Sequence, residues 1–108
     1  MAAERSYDAI VIGAGQAGPP LAKRLTEAGM SVAVVERHLF GGTCVNTGCI
    51  PTKAMVASAY VAHVARRADE YGVRIGGSVT VDLKTVMARK AAIAERSRIG
   101  VELSLIHI

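Results

Sequence analysis

The sequence is poor in aromatic residues: it has no tryptophan, one phenylalanine and three tyrosines among 108 residues. It has no apolar run long enough to cross a membrane. It also lacks a secretory signal, because the run 9–12 is too short and ends at Gly13. No stripe of basic residues alternates with aromatic ones, so the net charge of +4 indicates an ordinary solvated surface. We therefore expect a cytoplasmic protein with no membrane and no nucleic-acid partner.

Cysteine is scarce too, with Cys44 and Cys49 the only two. Structural disulfides are uncommon in the cytoplasm, so a close pair there is more often catalytic, redox-sensing or metal-binding. Two thiols alone do not make a tetrahedral zinc site, which would need ligands from another chain. The sequence therefore predicts no metal site.

Half of the chain is apolar, which favours a globular domain over disorder. Residues 7–12 and 31–36 have the composition of buried strands, and residues 21–28 between them predict a helix closed by Gly29. A strand, a helix and a strand within about 30 residues form a βαβ unit with parallel strands. The predicted fold class is α/β.

Longer helices are predicted in the second half of the chain. Residues 51–71 form an alanine-rich helix that ends at Gly72, and Asp82 is a suitable N-cap for a helix over residues 83–99. Residues 74–80 between them have weak strand character. Five apolar residues recur at helical spacing in the first of these helices and are predicted to pack in the core: Met55, Val56, Ala59, Tyr60 and Val64.

The last six residues, 103–108, do not fit this pattern, because they follow a charged helix without a turn. Leu-Ser-Leu-Ile-His-Ile is also what a transposon-end adapter used in sequencing libraries encodes. We expect a native domain over residues 1–102, followed by a non-native tail over 103–108. The alternative is a genuine short strand.

The segment Gly13-Ala14-Gly15-Gln16-Ala17-Gly18 has the form G-x-G-x-x-G and lies between the first strand and the first helix. In that position Gly13 permits a tight exit from the strand, Gly15 lets a pyrophosphate approach the backbone, and Gly18 lets the helix pack closely on the strand. Glu36 ends the second strand, where a carboxylate accepts hydrogen bonds from an adenosine ribose. Together these features predict a Rossmann-like dinucleotide site, without choosing between FAD and NAD.

Two prolines interrupt the start of the helix that follows the glycine turn. Pro19 is predicted to cost little, because the first N–H groups of a helix have no partner within it. Pro20 is predicted to lose a hydrogen bond and to make the first turn irregular.

The spacing of the two cysteines, C-x₄-C, is demanding for a disulfide. On a regular helix, residues five apart rise by about 7.5 Å and point about 140° apart. A disulfide needs Cα atoms roughly 4.4–6.8 Å apart. If the pair is a disulfide, the segment must be distorted, and Asn46, Gly48 and Pro51 permit that.

The stretch Gly-Gly-Thr-Cys-Val-Asn-Thr-Gly-Cys-Ile-Pro-Thr-Lys over residues 41–53 closely resembles the redox motif of the class I pyridine nucleotide-disulfide oxidoreductases. This family includes dihydrolipoamide dehydrogenase, glutathione reductase and mercuric reductase, and the resemblance covers residues 6–102. It implies that the dinucleotide is FAD. It also implies that NAD(P)H is the co-substrate, bound by a domain beyond residue 108, and that the full-length enzyme is a homodimer.

The resemblance also implies roles for individual residues. Cys44 and Cys49 would form the catalytic disulfide, with Cys44 exchanging with substrate and Cys49 lying against the flavin, and Lys53 would lie near the flavin N5. The cofactor-binding residues would be Gly13, Gly15, Gln16, Ala17, Gly18, Glu36, Arg37, Gly42, Thr43, Cys44, Cys49 and Lys53. Electrons would pass from NAD(P)H through FAD to the disulfide and then to a substrate.

Several substrates and functions stay open at this point. The helix after the motif is most like that of mercuric reductases, which implies Hg(II) as substrate; the alternative is the dithiol or disulfide of a dihydrolipoamide dehydrogenase or related reductase. A chain of this length is expected to bind FAD weakly and to lack turnover alone. It is then a fragment of an enzyme, a non-catalytic FAD-binding module, or a nonfunctional remnant.

Overall fold

The computed structural model describes residues 4–106 of the chain. Within them two strands and four α-helices are formed, with a short 3-10 helix, Ala68–Tyr71, after the third helix. In chain order the elements are β1 (Ala9–Ile12), α1 (Gly18–Glu27), β2 (Val32–Val35), α2 (Gly42–Asn46), α3 (Cys49–Arg66) and α4 (Leu83–Ile106).

The predicted βαβ unit is present and the fold class is α/β. Strands β1 and β2 pair in parallel, with Ala9 opposite Val32 and Ile12 opposite Val35, and α1 connects them. Alternate residues of a strand point to opposite faces. In β1, Val11 is buried while Ile10 and Ile12 are exposed. Within the described residues, the sheet is therefore covered on one face only, not on both as a fully buried strand requires.

The signals at two helix ends act as predicted. Gly29 follows α1 with a positive φ of 85°, and its N–H donates to the carbonyl of Thr26 at 2.9 Å. At the start of α4, one carboxylate oxygen of Asp82 accepts from the backbone N–H groups of Lys84 and Thr85, at 3.0 and 3.2 Å. This arrangement is an N-cap.

Elsewhere the helix and strand boundaries differ from the prediction. Residues 74–80 contain no strand, and Gly42–Asn46 form a short helix, α2, that was not predicted. Helix α4 continues through Gly100 to Ile106 instead of ending near Ile99. Leu103–Ile106 are thus helical, and the alternative of a short strand is wrong for them. Residues 107 and 108 lie outside the described residues.

The core is small and is built from small side chains. Its buried apolar residues are Val11, Ala14, Ala22, Val45, Ala54 and Ala62. Helix α3 turns its alanine face, including Ala54 and Ala62, inward, because small residues allow close packing on a neighbouring element. The five residues of α3 predicted to lie in the core are instead exposed, so that prediction was wrong: Met55, Val56, Ala59, Tyr60 and Val64.

The chain is extended, with a radius of gyration of 20.7 Å, whereas a compact domain of this length has about 13 Å. Helix α4 packs mainly on α3 and also touches α2 and α1. Among the described residues no helix has the length and apolarity needed to cross a membrane.

Candidate functional site

The glycine turn between β1 and α1 is set by two glycines with different tasks. Gly13 leaves the strand with φ of 101°, a conformation that L side chains rarely adopt, and its N–H donates to the carbonyl of Val35 at 2.7 Å. Gly18 begins α1, and a Cβ there would collide with the carbonyl oxygen of Gly13. Both mechanical predictions, the tight exit and the close helix–strand contact, are confirmed.

The two prolines fit the helix better than predicted. Helix α1 begins at Gly18, and its first intrahelical hydrogen bond runs from the N–H of Leu21 to the carbonyl of Ala17 at 3.2 Å. Pro19 and Pro20 therefore occupy positions at which the N–H of any other residue would have no intrahelical acceptor. The expectation that Pro20 loses a hydrogen bond is wrong, because the helix starts three residues earlier than the predicted Leu21.

The same geometry leaves a run of backbone donors beside the turn. The N–H of Ala14 donates to Glu36, and Pro19 and Pro20 have no N–H. Among the described residues, the N–H groups between them have no protein acceptor; they belong to Gly15, Gln16, Ala17 and Gly18. A Cβ on Gly15 would have nothing nearer than the Cα of Gly42 at 3.9 Å, so the space over this run is open.

Glu36 joins the end of β2 to the glycine turn. One carboxylate oxygen accepts from the N–H of Ala14 and the other from the N–H of His38, both at 2.9 Å. These two hydrogen bonds hold the pKa of Glu36 below its ordinary value, and the one from Ala14 has the larger effect. Each oxygen keeps a lone pair, so the carboxylate has acceptors left for a ribose hydroxyl. The side chain of the neighbouring Arg37 is exposed.

The loop before the cysteines lies directly against the glycine turn. The N–H of Gly41 donates to the carbonyl of Ala14 at 2.7 Å, and a Cβ on Gly42 would lie 2.8 Å from the Cα of Gly15. Both loop glycines have positive φ, 98° and 65°. The predicted dinucleotide site and the predicted redox loop are therefore adjacent backbone to backbone.

The amide of Asn46 holds the redox loop in shape. Its Nδ2 donates to the carbonyls of Phe40 and Gly42, at 3.0 and 2.9 Å. Together these bonds tie the start of α2 to its last turn. Asn46 was expected only to permit distortion, and the structure gives it this specific task.

Cys44 and Cys49 form a disulfide with their Cα atoms 4.6 Å apart. The distortion predicted for this spacing is a break between two helices: α2 ends at Asn46, Thr47 and Gly48 follow, and Cys49 opens α3. A Cβ on Gly48 would lie 3.0 Å from the carbonyl oxygen of Thr43 and 3.3 Å from the Cα of Cys44. The absence of a side chain at Gly48 thus permits the close approach of the two helices.

The two cysteines differ in exposure. Cys49 is exposed at the first position of α3, while Cys44 is half-buried in α2. Lys53 follows Cys49 by one helical turn on the same exposed side of α3. Thr43 is exposed next to Cys44. The structure thus brings Gly42, Thr43 and the cysteines to the glycine turn through one loop.

Two residues that matter to this geometry were not predicted. Ala14 is fully buried and uses both backbone groups, its N–H to Glu36 and its carbonyl to Gly41. Arg89 of α4 donates to the carbonyl of Ala54 in α3 at 2.9 Å. Neither carries a signal in a single sequence, because alanine is featureless and a lone arginine on a helix is usually solvated.

Comparison with known proteins identifies the family of the chain. The sequence profile described as pyridine nucleotide-disulphide oxidoreductase matches residues 7–104. The dihydrolipoyl dehydrogenase of Rhizobium etli is 44% identical over 96 residues, covering 89% of this chain and 20% of that protein. Those of Bacillus subtilis and Chlorobaculum parvum are 42% and 39% identical, over 88% and 92% of this chain and 20% and 21% of theirs. The chain thus spans about a fifth of the length of these curated relatives. On this evidence, it belongs to the pyridine nucleotide-disulphide oxidoreductase family.

Proposed function

We propose that this chain is the FAD-binding, disulfide-carrying part of an oxidoreductase that moves two electrons between NAD(P)H and a dithiol or disulfide substrate. The observation that carries the proposal is the contact of Gly42 with Gly15. It joins a turn with the form of a dinucleotide site to the loop that leads into a disulfide. A flavin nucleotide bound at the turn would lie beside a redox pair.

The residues present fit the phosphates and the ribose of FAD. The four N–H groups without a protein acceptor, on residues 15–18, suit a pyrophosphate at a helix N-terminus. Glu36 retains lone pairs for the adenosine ribose and lies next to Arg37. When bound, FAD would supply two-electron chemistry between the nicotinamide and the disulfide. The homodimer and the NAD(P)H domain of the family belong to this proposal as well.

The two cysteines would have different roles in this reaction. Reduction breaks the Cys44–Cys49 bond with two electrons and two protons and yields two thiols. Cys44, as thiolate, attacks one sulfur of a disulfide substrate and releases its other sulfur as a thiol; Cys49 then attacks Cys44 and frees the second thiol. Cys49 suits the side of the flavin, since it is exposed next to Lys53 and opens α3, where a helix N-terminus favours a thiolate.

The choice of substrate follows the relatives. Proteins named dihydrolipoyl dehydrogenase match this chain over 88–92% of its length, and these names favour a dithiol or disulfide over the Hg(II) of the mercuric reductase hypothesis. No relative reported above supports mercuric ion. We propose the dithiol–disulfide reaction.

FAD binding is tested with a pair of glycine variants. FAD is titrated into the chain and flavin fluorescence is followed, with Gly15→Ala and Gly100→Ala beside the wild type. Gly15→Ala should weaken binding by at least about tenfold, since a methyl group would occupy the space of the pyrophosphate. Gly100 has open space around it and no positive φ, so Gly100→Ala should bind as the wild type does. Equal binding by all three would sink the proposal.

The domain boundary is a separate proposal. We propose that the native sequence is interrupted near Glu102 and that residues 103–108 are encoded by adapter DNA. The DNA of the source genome across this codon decides it. A frame that continues with a different sequence supports the proposal, and a native stop codon after Ile108 refutes it.

A further inference from the structure

Helix α2 carries Cys44 and is only five residues long, Gly42–Asn46. A helix of this length is not stable on its own, so contacts with the rest of the chain must hold it in place. One of these contacts is covalent, the disulfide from Cys44 to Cys49 at the start of α3. Reduction removes it, and the position of α2 in the dithiol form then depends on the non-covalent contacts alone.

The side-chain amide of Asn46 makes the main polar contact of α2. Its Nδ2 donates to the carbonyls of Phe40 and Gly42, and both hydrogen bonds are partly buried. Among the described residues, this amide is the one hydrogen-bond donor to the carbonyl of Phe40. Without the amide, that carbonyl would be left partly buried and unpaired, which is unfavourable.

Two further contacts hold α2 but set its orientation less. Val45 is buried, and a Cβ on Gly41 would collide with its side chain; an apolar contact of this kind is not directional. The hydroxyl of Thr47 lies 3.4 Å from the carbonyl oxygen of Thr43, and this long hydrogen bond is exposed. The two directional bonds of Asn46 therefore have the larger influence on where α2 points Cys44.

The peptide bond between Phe40 and Gly41 connects the Asn46 amide to the glycine turn. Its oxygen accepts from Asn46, and its N–H donates to the carbonyl of Ala14 at 2.7 Å. A peptide group is planar and moves as one rigid unit. A rotation that breaks one of these hydrogen bonds therefore disturbs the other.

We propose that Asn46 is a positioning residue that couples the redox pair to the glycine turn through the Phe40–Gly41 peptide. Its amide holds Cys44 beside Cys49 and keeps the redox loop on the turn when the disulfide is open. Loss of the amide costs the disulfide form more than the dithiol form. The disulfide keeps α2 over the unpaired carbonyls, whereas in the dithiol α2 can shift and let them reach water.

The first measurement is the equilibrium of the chain with dithiothreitol at a fixed pH, without FAD. The protein S–S bond breaks and two thiols form, while dithiothreitol gives up two electrons and two protons and becomes a cyclic disulfide. Alkylation of the thiols and mass spectrometry give the equilibrium constant. Asn46→Ala and Asn46→Asp should favour the dithiol by about fivefold, the factor that one net hydrogen bond contributes. The control Thr47→Val should stay within about twofold of the wild type, since it removes only a long, exposed hydrogen bond.

The second measurement is hydrogen exchange of the Gly41 N–H in the reduced chain, followed by NMR. The N–H of Gly13, which donates to the carbonyl of Val35 at 2.7 Å, is the reference for the sheet. In both Asn46 variants the Gly41 N–H should exchange at least about tenfold faster than in the wild type, with Gly13 unchanged. A residue that stabilised the whole fold would instead change Gly13 and Gly41 together.

The inference is overturned if Asn46→Ala leaves either the equilibrium or the exchange of Gly41 as in the wild type. Should Asn46→Ala also speed the exchange of Gly13, the isosteric Asn46→Asp decides; if that variant does so too, Asn46 supports the fold in general and the inference is wrong. The inference rests on the proposed redox function of the disulfide. A disulfide that dithiothreitol leaves intact would overturn both, whereas weak FAD binding would count against the proposed function alone.

Discussion

Gly42 lies so close to Gly15 that a Cβ on Gly42 would come within 2.8 Å of the Gly15 Cα. One residue earlier in each segment, the N–H of Gly41 donates to the carbonyl of Ala14 at 2.7 Å. The backbones of the glycine turn and the redox loop are thus in direct contact, and we call this contact the backbone seam. More than 20 residues separate the two segments in the chain. The glycine at position 42 is explained by this seam and by its positive φ of 65°, without a cofactor.

Gly42→Ala is expected to destabilise the folded chain by about 2–4 kcal/mol, because it adds backbone overlap to an unfavourable φ. Gly15→Ala should change the free energy of unfolding by less than about 0.5 kcal/mol, since its Cβ would have only an ordinary contact at 3.9 Å. Urea denaturation followed by circular dichroism measures both. A Gly42→Ala variant as stable as Gly15→Ala would show that the seam does not form in solution.

The hydrogen bonds to Glu36 make the stability of the glycine turn depend on pH. Since the pKa of Glu36 is lowered by Ala14 and His38, its stabilisation is present above the ordinary glutamate pKa and is lost as pH falls through the lower pKa of the folded state. Glu36→Gln places an NH₂ group against one of the two N–H donors. We expect this variant to be less stable than the wild type at neutral pH and equally stable in acid.

The measurement is the free energy of unfolding of both proteins from neutral to acid pH. Glu102→Gln is the control, because the exposed Glu102 makes no hydrogen bond with its side chain among the described residues. A difference between wild type and Glu36→Gln that does not shrink in acid would argue against a stabilising role for the hydrogen bonds from Ala14 and His38 to Glu36.

The sequence is informative where structure is local. The G-x-G-x-x-G turn, Gly29 after α1 and Asp82 before α4 act at a range of a few residues, and the structure has them as predicted. Helix α2 is different: its short segment has no apolar period, and Asn46 holds it through the carbonyls of Phe40 and Gly42. Such a contact becomes visible only when the chain is folded.

The error over the face of α3 has a physical cause. Met55, Tyr60 and Val64 have the helical spacing of a core stripe, but hydrophobic periodicity does not tell which of two apolar faces meets the neighbour. The helix packs with its smaller face, Ala54 and Ala62, and exposes the larger one. The contact of Arg89 with Ala54 cannot be predicted for the same reason, because it depends on where α4 lies.

At the start of α1, substitutions of two neighbouring residues are expected to have very different effects on the free energy of unfolding. At the position of Pro20, the N–H of another residue would have no intrahelical acceptor, whereas the N–H of Leu21 donates to the carbonyl of Ala17. Pro20→Ala should alter the free energy of unfolding by less than about 0.5 kcal/mol, and Leu21→Pro should cost about 3 kcal/mol. Thermal denaturation of both variants checks this. A large gain in stability with Pro20→Ala would mean that Pro20 costs the helix a hydrogen bond, so that the helix begins before Gly18.

Gly48 controls how readily the disulfide closes. A Cβ there would lie 3.0 Å from the Thr43 carbonyl and 3.3 Å from the Cys44 Cα, which is tighter than ordinary contact, and opening the turn between α2 and α3 is the way to relieve it. That opening moves Cys44 away from Cys49 in the oxidised form, but is tolerated once the bond is reduced. Gly48→Ala should therefore favour the dithiol by about tenfold, because a cost near 1.4 kcal/mol falls on the disulfide alone.

Equilibration with glutathione buffers gives the equilibrium constant between dithiol and disulfide. Gly76→Ala is the control, since nothing lies within 4 Å of its added Cβ. If both variants form the disulfide as readily as the wild type, the turn between α2 and α3 accommodates a Cβ at position 48 without separating the cysteines. The contacts of Gly48 then do not limit formation of the disulfide.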